Sequence, residues 1–391
     1  MRFINPFRTR KPNILMILID GGGRKEAFNK IKFYQELKKQ GVFVENLITY
    51  APYSIGCLNA LFSGMNGNVN GVGGYYKSYS FDKKNIFTLA QYLKESGYRT
   101  ELDFVIEDVL PQQGFDKIRT FGKDETKEID LVARHLEILT QLKDKQPFFV
   151  FLDYNKIALH LARNVIKKYD DFSKEYFHNK EKNLSNYTSW LEESTGYLQK
   201  ILEKIKELGL YDDSVIAIFS DHGESMGDKE GEKVHGVFLY DYTINCWGYF
   251  IGKQFPSNIT ITKMLRHIDI MPTILDILKI RPKDNFKPMQ GTSIMPFING
   301  KGKDLIAYSE TGGLGGPTPS PEIHNVQAVR TNEWKLVYNK TSNKRELYHI
   351  KEDKGEKNNL AGKGLRIEDE LWEELKKIEQ EHEKINKQFK Q

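Results

Sequence analysis

Two continuous apolar runs, each ending abruptly in a carboxylate, constrain this chain more than any other feature of its sequence. Residues 14–19 read Ile-Leu-Met-Ile-Leu-Ile and stop at Asp20. Residues 215–219 read Val-Ile-Ala-Ile-Phe and lead into Ser220, Asp221, His222, Gly223 and Glu224. Neither run alternates apolar with polar, so neither suits a strand with one wet face. Both suit strands of a parallel sheet covered on its two faces. Ligands and reacting groups of open α/β sheets collect beyond the carboxyl ends of such strands. Taken alone, Asp221 reads equally well as the cap of a following helix; a second strand of the same design is what favours a crevice. Asp20 and Asp221 facing one crevice would repel, and a bound cation is the usual remedy. Adjacent Asp and His are natural ligands for a divalent metal of borderline hardness. The turn Gly21-Gly22-Gly23 before Arg24 lacks the lysine and hydroxyl of a P-loop, which argues against a nucleotide site.

Strand and helix patterns alternate along the first three quarters of the chain, which implies α/β architecture with a mostly parallel sheet flanked by helices. Helical patterns fall at 33–39, 87–96, 130–142, 191–208 and 269–278, with Gly97 placed as a helix C-cap. Strands are expected at 42–48 and 98–105, and at 147–153, where another apolar run ends in Asp153. After Ser309 the composition changes. A Gly/Pro loop over 310–321 precedes three short strands at 326–331, 333–339 and 345–350, hence a small antiparallel sheet. A charged amphipathic helix over 367–391, with Leu371, Leu375 and Ile378 at helical spacing, is expected to pack on the body. The reading is a catalytic domain over 1–309 and a C-terminal subdomain over 310–391.

At 391 residues, 39% hydrophobic and 28% charged, the chain is long enough for one large core and an appendage. The net charge of +5 is spread along the chain, so nucleic acid is not indicated as a partner. No apolar run approaches the roughly 20 residues of a membrane span. Cys57 and Cys246 form neither metal spacing nor a disulfide framework, and the simplest expectation is a cytoplasmic protein.

The segment 51–64 reads as a turn feeding a helix, whose start would present free backbone N–H groups and the positive end of a dipole. Ser54 at that point is a nucleophile if a metal lowers its pKa. In isolation it reads as an N-cap. Cys57 is the intrinsically stronger nucleophile, but it falls about one turn into the helix, where packing is expected.

In their order, these pieces resemble the sulfatase branch of the alkaline phosphatase superfamily. The resemblance rests on Pro12-Asn-Ile-Leu with its apolar run to Asp20, Leu61–Gly64, Ser220-Asp-His-Gly-Glu224 and His235-Gly-x-x-Leu-Tyr-Asp241. It continues through 269–276, Gly291-Thr-Ser293, Ala328-Val-Arg-Thr with Trp334-Lys335, and Glu346-Leu-Tyr with Asn358-Asn-Leu360. It therefore spans nearly the whole chain. It implies an alkaline phosphatase-like fold, Asp20, Asp221 and His222 as metal ligands, and Ser54 at the nucleophile position. His235 falls where relatives have a histidine that contacts substrate or a second metal. Arg24 sits near a basic residue that often follows the first Asp, and His160 falls roughly where relatives place an active-site histidine.

The chain also departs from that pattern. Sulfatases generally use a formylglycine made within Cys/Ser-x-Pro/Ala-x-Arg, whereas Ser54-Ile-Gly-Cys-Leu58 lacks the proline and the arginine. They usually carry two adjacent acids after the first strand, and here Asp20 is followed by Gly21. Both departures are more similar to the phosphodiesterases and phosphotransferases of the superfamily, which attack with an unmodified hydroxyl. The expectation is a metal-dependent hydrolase of sulfate or phosphate esters, phosphoester chemistry ahead. Mn²⁺ or Zn²⁺ is favoured by the mixed ligands, with Ca²⁺ for a true sulfatase. Alternatives are a phosphotransferase acting on a lipid or glycan and a catalytically weak binding protein. The expected partner is a small-molecule or glycan- or lipid-derived anionic ester, met by loops at 77–84, 155–179 and 310–321.

Overall fold

The computed structural model describes residues 11–73, 80–122, 129–312 and 325–389. The expected loops at 77–84 and 310–321 and the helix end at 390–391 thus lie partly outside the described residues. Nine strands form the large sheet. They are β1 (Asn13–Ile19), β2 (Val42–Ile48), β3 (Arg99–Phe104), β4 (Lys117–Thr120), β5 (Phe148–Tyr154), β6 (Ser214–Phe219), β7 (Asn245–Ile251), β8 (Ile259–Ile261) and β9 (Leu265–Arg266). Their order is β4-β3-β5-β1-β6-β7-β2-β8, with β9 also on β2. β1 lies parallel between β5 and β6, and only β7 runs antiparallel to its neighbours.

The unbroken apolar runs have a direct cause. Leu15, Ile17 and Ile19 of β1, with Ile216 and Ile218 of β6, face one core; Ile14, Met16, Leu18, Val215, Ala217 and Phe219 face the other. Helices Leu131–Leu142 and Lys180–Glu207 cover the first face, and Ser54–Ser63, Leu89–Glu95 and Ile270–Ile277 the second. Thr88 and Gln91 close a capping box at the start of Leu89–Glu95, so its polar ends are satisfied. Among the described residues no helix is long and apolar enough to cross a membrane.

The second sheet is antiparallel in the order β10 (Ala307–Thr311), β11 (Val326–Arg330), β12 (Trp334–Asn339), β13 (Lys344–His349). Its first strand starts before the compositional change at Ser309. Helix Arg366–Gln388 packs on this sheet, burying Leu371 and Leu375 with Val329, Leu336 and Leu347. Tyr50, Ala51 and Tyr53 belong to the same cluster. The small sheet therefore backs the segment that leads to Ser54. One backbone and one side-chain bond fix this: Glu310 N–H donates to Tyr50 O at 2.9 Å, and Ser309 Oγ donates to Thr49 O at 2.6 Å. A buried ionic knot ties the units as well. Lys335 meets Asp241 at 2.8 Å and also Glu356, while Arg330 meets Asp241 at 2.8 Å.

Candidate active site and metal centre

Because β1 and β6 are adjacent and parallel, their carboxyl ends bring Asp20 and Asp221 to one crevice. Asp221 is fully buried. Its Oδ1 accepts from Gly21 N–H at 3.1 Å and His222 N–H at 2.9 Å, while its Oδ2 has no hydrogen-bond partner among the described residues. A buried carboxylate oxygen without a donor is costly, and a cation is what such an oxygen lacks. Asp20 is pushed up to about 7, by burial first and then by the Asp221 charge. Asp153, the third expected strand-end acid, lies inside β5, fully buried. Burial, Asp20 and Asp221 push it well above the usual carboxylate range.

His222 faces the same point. Its Nδ1 lies 3.1 Å from Gly223 O, and its Nε2 lies 3.5 Å from Asp221 Oδ2 and 3.7 Å from Asp20 Oδ1. Ser54 opens helix Ser54–Ser63, whose N-cap is the extended residue Tyr53. Ser54 is thus no N-cap: its Oγ donates to Asp20 Oδ1 at 3.3 Å and lies 3.3 Å from His222 Nε2. Asp20, Asp221 and His222 offer ligand atoms within 4.8 Å of one another. Two carboxylates and an imidazole, one oxygen of them orphaned, fit a divalent metal with Ser54 beside it. Cys57 is fully buried one turn on, and burial pushes its thiol well up, as packing rather than catalysis requires.

Close approach explains the glycines after β1. Gly23 N–H donates to His222 O at 2.9 Å, and a Cβ at Gly23 would stand 2.6 Å from that oxygen. Gly21 has φ +66°, and a Cβ there would stand 2.8 Å from Glu224 Oε1.

His235 sits beside His222, ring centroids 4.2 Å apart. Its Nδ1 lies 2.9 and 2.8 Å from the two oxygens of Glu224. Burial pushes His235 down to about 4 and Glu224 up to about 8. Glu224 stood in the sequence motif without a role. Glu232 carried no signal at all. It is buried, accepts from Val237 N–H and Phe238 N–H at 2.8 Å each and from Tyr242 OH at 2.9 Å, and so holds the turn carrying His235.

The two expected substrate contacts have other partners. Arg24 is buried, and all five of its guanidinium N–H directions are spent on Asp228, Glu26 and the Glu224 carbonyl. It braces the turn after β1 against the loop after β6, leaving no donor for a substrate anion. His160 stacks on Trp190 and lies 3.1 Å from Glu193 Oε2; none of its hydrogen bonds or ring contacts reaches the groups around Ser54.

An open, mostly parallel sheet with acids at adjacent strand ends and a hydroxyl at a helix start defines an alkaline phosphatase-like protein. The sulfatase family model matches residues 12–280, and the model for the C-terminal region of N-sulphoglucosamine sulphohydrolase matches 249–381. The chain belongs to the sulfatase family of the alkaline phosphatase superfamily, a family of ester hydrolases. Arylsulfatase K of Bos taurus is 22% identical over 452 residues, covering 94% of this chain and 81% of its own. A low-salt glycan biosynthesis sulfotransferase of Haloferax volcanii is 29% identical over 191 residues, covering 44% of this chain and 47% of its own. A 2-O GAG sulfatase structure superposes with a TM-score of 0.73 at 17% identity, covering 97% of this chain and 94% of that one. A structure in complex with D-glucosamine-2-N,6-O-disulfate gives 0.72 at 14% identity, covering 96% and 99%.

Proposed function

We propose that this protein is a metal-dependent hydrolase of a sulfate or phosphate ester on a glycan-like substrate, with Ser54 attacking as an unmodified hydroxyl. The observation that carries it is Ser54 Oγ at 3.3 Å from both Asp20 Oδ1 and His222 Nε2, beside the orphaned Oδ2 of Asp221. Asp20, Asp221 and His222 would hold the metal, Mn²⁺ or Zn²⁺ ahead of Ca²⁺ because one donor is an imidazole nitrogen. When bound, a divalent ion polarises the ester and lowers the pKa of the attacking hydroxyl. Asp20 Oδ1, 3.3 Å from Ser54 Oγ, is one candidate acceptor for its proton. His235 is the nitrogen base placed to serve the leaving oxygen.

The substrate class draws on different observations. Relatives that act on sulfated glycans support a sulfate ester. The missing proline and arginine after Ser54 support a plain serine and, with it, a phosphate ester, whose serine intermediate water can displace. We place phosphate first. The relation to a sulfotransferase favours one second reading, transfer of the group to a glycan hydroxyl instead of water. The test is turnover of matched 4-nitrophenyl sulfate, phosphate monoester and phosphate diester by protein reconstituted with Mn²⁺, Zn²⁺ or Ca²⁺. Phosphate ester turnover lost in Ser54→Ala is the expected result. Sulfate turnover, with residue 54 found as an aldehyde by mass spectrometry, would reverse the order. A rate raised by an added sugar alcohol, with modified sugar as product, would establish transfer.

A further inference from the structure

The apolar run of β6 hands over to the turn with Asp221 and His222 at Ser220, and every polar group of that residue is tied. Its N–H donates to Trp247 O at 3.3 Å, and its Oγ donates to His222 O at 2.9 Å. Its carbonyl lies 2.7 Å from His267 Nε2, and only an N–H satisfies a carbonyl, so that nitrogen carries a proton. The His267 ring is wholly buried and stands edge-on to Phe219, ring centroids 6.0 Å apart. An imidazole withdrawn from water to hold one carbonyl is a costly way to close a strand.

The backbone around His267 shows what the cost supports. His267 opens the short turn His267–Asp269 that follows β9. β9 pairs with β2 at Leu47 and Ile48, just before the segment that leads to Ser54. The next residue, Ile268, belongs to the buried cluster of Tyr50, Ala51 and Tyr53, with Ala60 of helix Ser54–Ser63. Asp269 locks the turn: it accepts from Arg266 N–H at 2.8 Å, from the Arg266 guanidinium at 2.7 and 3.1 Å, and from Thr292 N–H at 2.8 Å. Gly291 closes it from behind, where a Cβ would stand 1.8 Å from Ile268 O. Two consecutive residues thus reach both halves of the site.

We infer that His267 is a positioning residue that sets the spacing between Ser54 and the turn carrying Asp221 and His222. It works through the Ser220 carbonyl. With that carbonyl held, the peptide planes that follow keep Asp221 Oδ1 on the N–H groups of His222 and Gly21, and His222 O on that of Gly23. Asp221 Oδ2 and His222 Nε2 are then left facing each other at 3.5 Å, with Ser54 Oγ 3.3 Å from the imidazole nitrogen. The role in catalysis rests on the reading of Asp221 and His222 as metal ligands and Ser54 as nucleophile.

The test uses the full chain and compares His267→Gln, whose amide N–H has the same reach, with His267→Asn, whose amide stops one carbon short, and His267→Leu, which has no donor. Leu139→Ala, a cavity in the core on the other face of the sheet, is the control for lost stability alone. Mn²⁺ affinity is read by calorimetry, and kcat on whichever 4-nitrophenyl ester the wild type turns over. Both should fall about 10-fold or more in His267→Asn and His267→Leu, with KM moving less. His267→Gln should recover most of each, and Leu139→Ala should lose neither although it lowers the urea midpoint. Losses in His267→Asn no larger than in Leu139→Ala, or no recovery in His267→Gln, would overturn the inference. Hydrogen exchange of the metal-free chain separates this from failure of the reading beneath it. Peptides over 50–58 and 220–224 should exchange faster in His267→Asn and return to the wild-type rate in His267→Gln; unchanged exchange there overturns the positioning role. A wild type that binds no Mn²⁺ and turns over no ester fails the reading of the site, and exchange then decides the role of His267 by itself.

Discussion

At the scale of single residues, the centre is built from groups whose charge the fold makes expensive. On the proposed reading, Ser54→Ala removes the attacking oxygen without touching the core, and turnover should fall by about 10³-fold or more while the melting temperature holds. Asp20, raised to about 7, carries a proton at lower pH that a metal must displace. Mn²⁺ affinity, measured by calorimetry, should therefore climb from pH 5.5 toward about 7 and flatten above it. The same shift has a sign for stability. An acid raised on folding contributes fully below its unfolded pKa, and that contribution is lost as pH rises through the folded value. Above about pH 7 buried imidazoles are neutral whether the chain is folded or not, so the trend falls to Asp20 and Glu356, raised to about 7, and Glu224 and Glu232, raised to about 8, against Lys25, lowered to about 7. The metal-free melting temperature should fall as pH rises toward about 8 and level off above it, and Mn²⁺ saturation should flatten the fall. The meeting of Asp20 and Asp221 at one crevice was legible because each closes an all-apolar run, the second such strand tipping Asp221 away from a helix cap. Glu224 and Glu232 were not, since their roles depend on turns that tertiary packing places.

Among elements, the strands that build the crevice announced themselves and the connectors did not. β1, β5 and β6 are buried on both faces, and their sequences say so without alternation. The N-terminal part of helix Lys180–Glu207 was missed because residues 180–190 are rich in Lys, Asn and Ser and carry little apolar stripe. β10 was missed because Tyr308, Ser309, Glu310 and Thr311 run into a Gly/Pro segment, and their burial comes from the neighbouring sheet and Tyr50. Arg24 shows how one side chain links elements: it joins the turn after β1 to Asp228 in the loop after β6, with both side chains at least nine-tenths buried. Arg24→Ala would leave Asp228 buried without its main partner and should cost about 3–5 kcal/mol in urea unfolding. A loss under about 1 kcal/mol would show that Lys180, 2.5 Å from Asp228 Oδ1, suffices.

For the molecule as a whole, the C-terminal sheet is part of the site's foundation. Lys335 is wholly buried against Asp241 and Glu356, and Asp241 is held well below the usual carboxylate range, mainly by Arg330 and Lys335. Lys335→Met strands two acids in the interior and should cost about 3–5 kcal/mol, read as a lowered urea midpoint. Because β10 bonds to the segment before Ser54, activity at a fixed temperature should decline before the main transition. The small antiparallel sheet was visible in the short strand patterns after Ser309, whereas the bonds joining it to the rest were not, since they pair residues far apart in the chain.

The strand order carries one more consequence, for how the chain is made. β6 occupies the slot between β1 and β7, so β1 keeps one edge bare until residues near 214 follow it. Asp221 and His222 at the end of β6 arrive about 200 residues after Asp20 and Gly21. Contacts so distant form slowly, and an open hydrophobic edge meanwhile invites pairing with other nascent chains. If the proposed metal reading holds, growing chains cut short of β6 would hold no ion, which makes ion capture a timestamp for completion of the sheet.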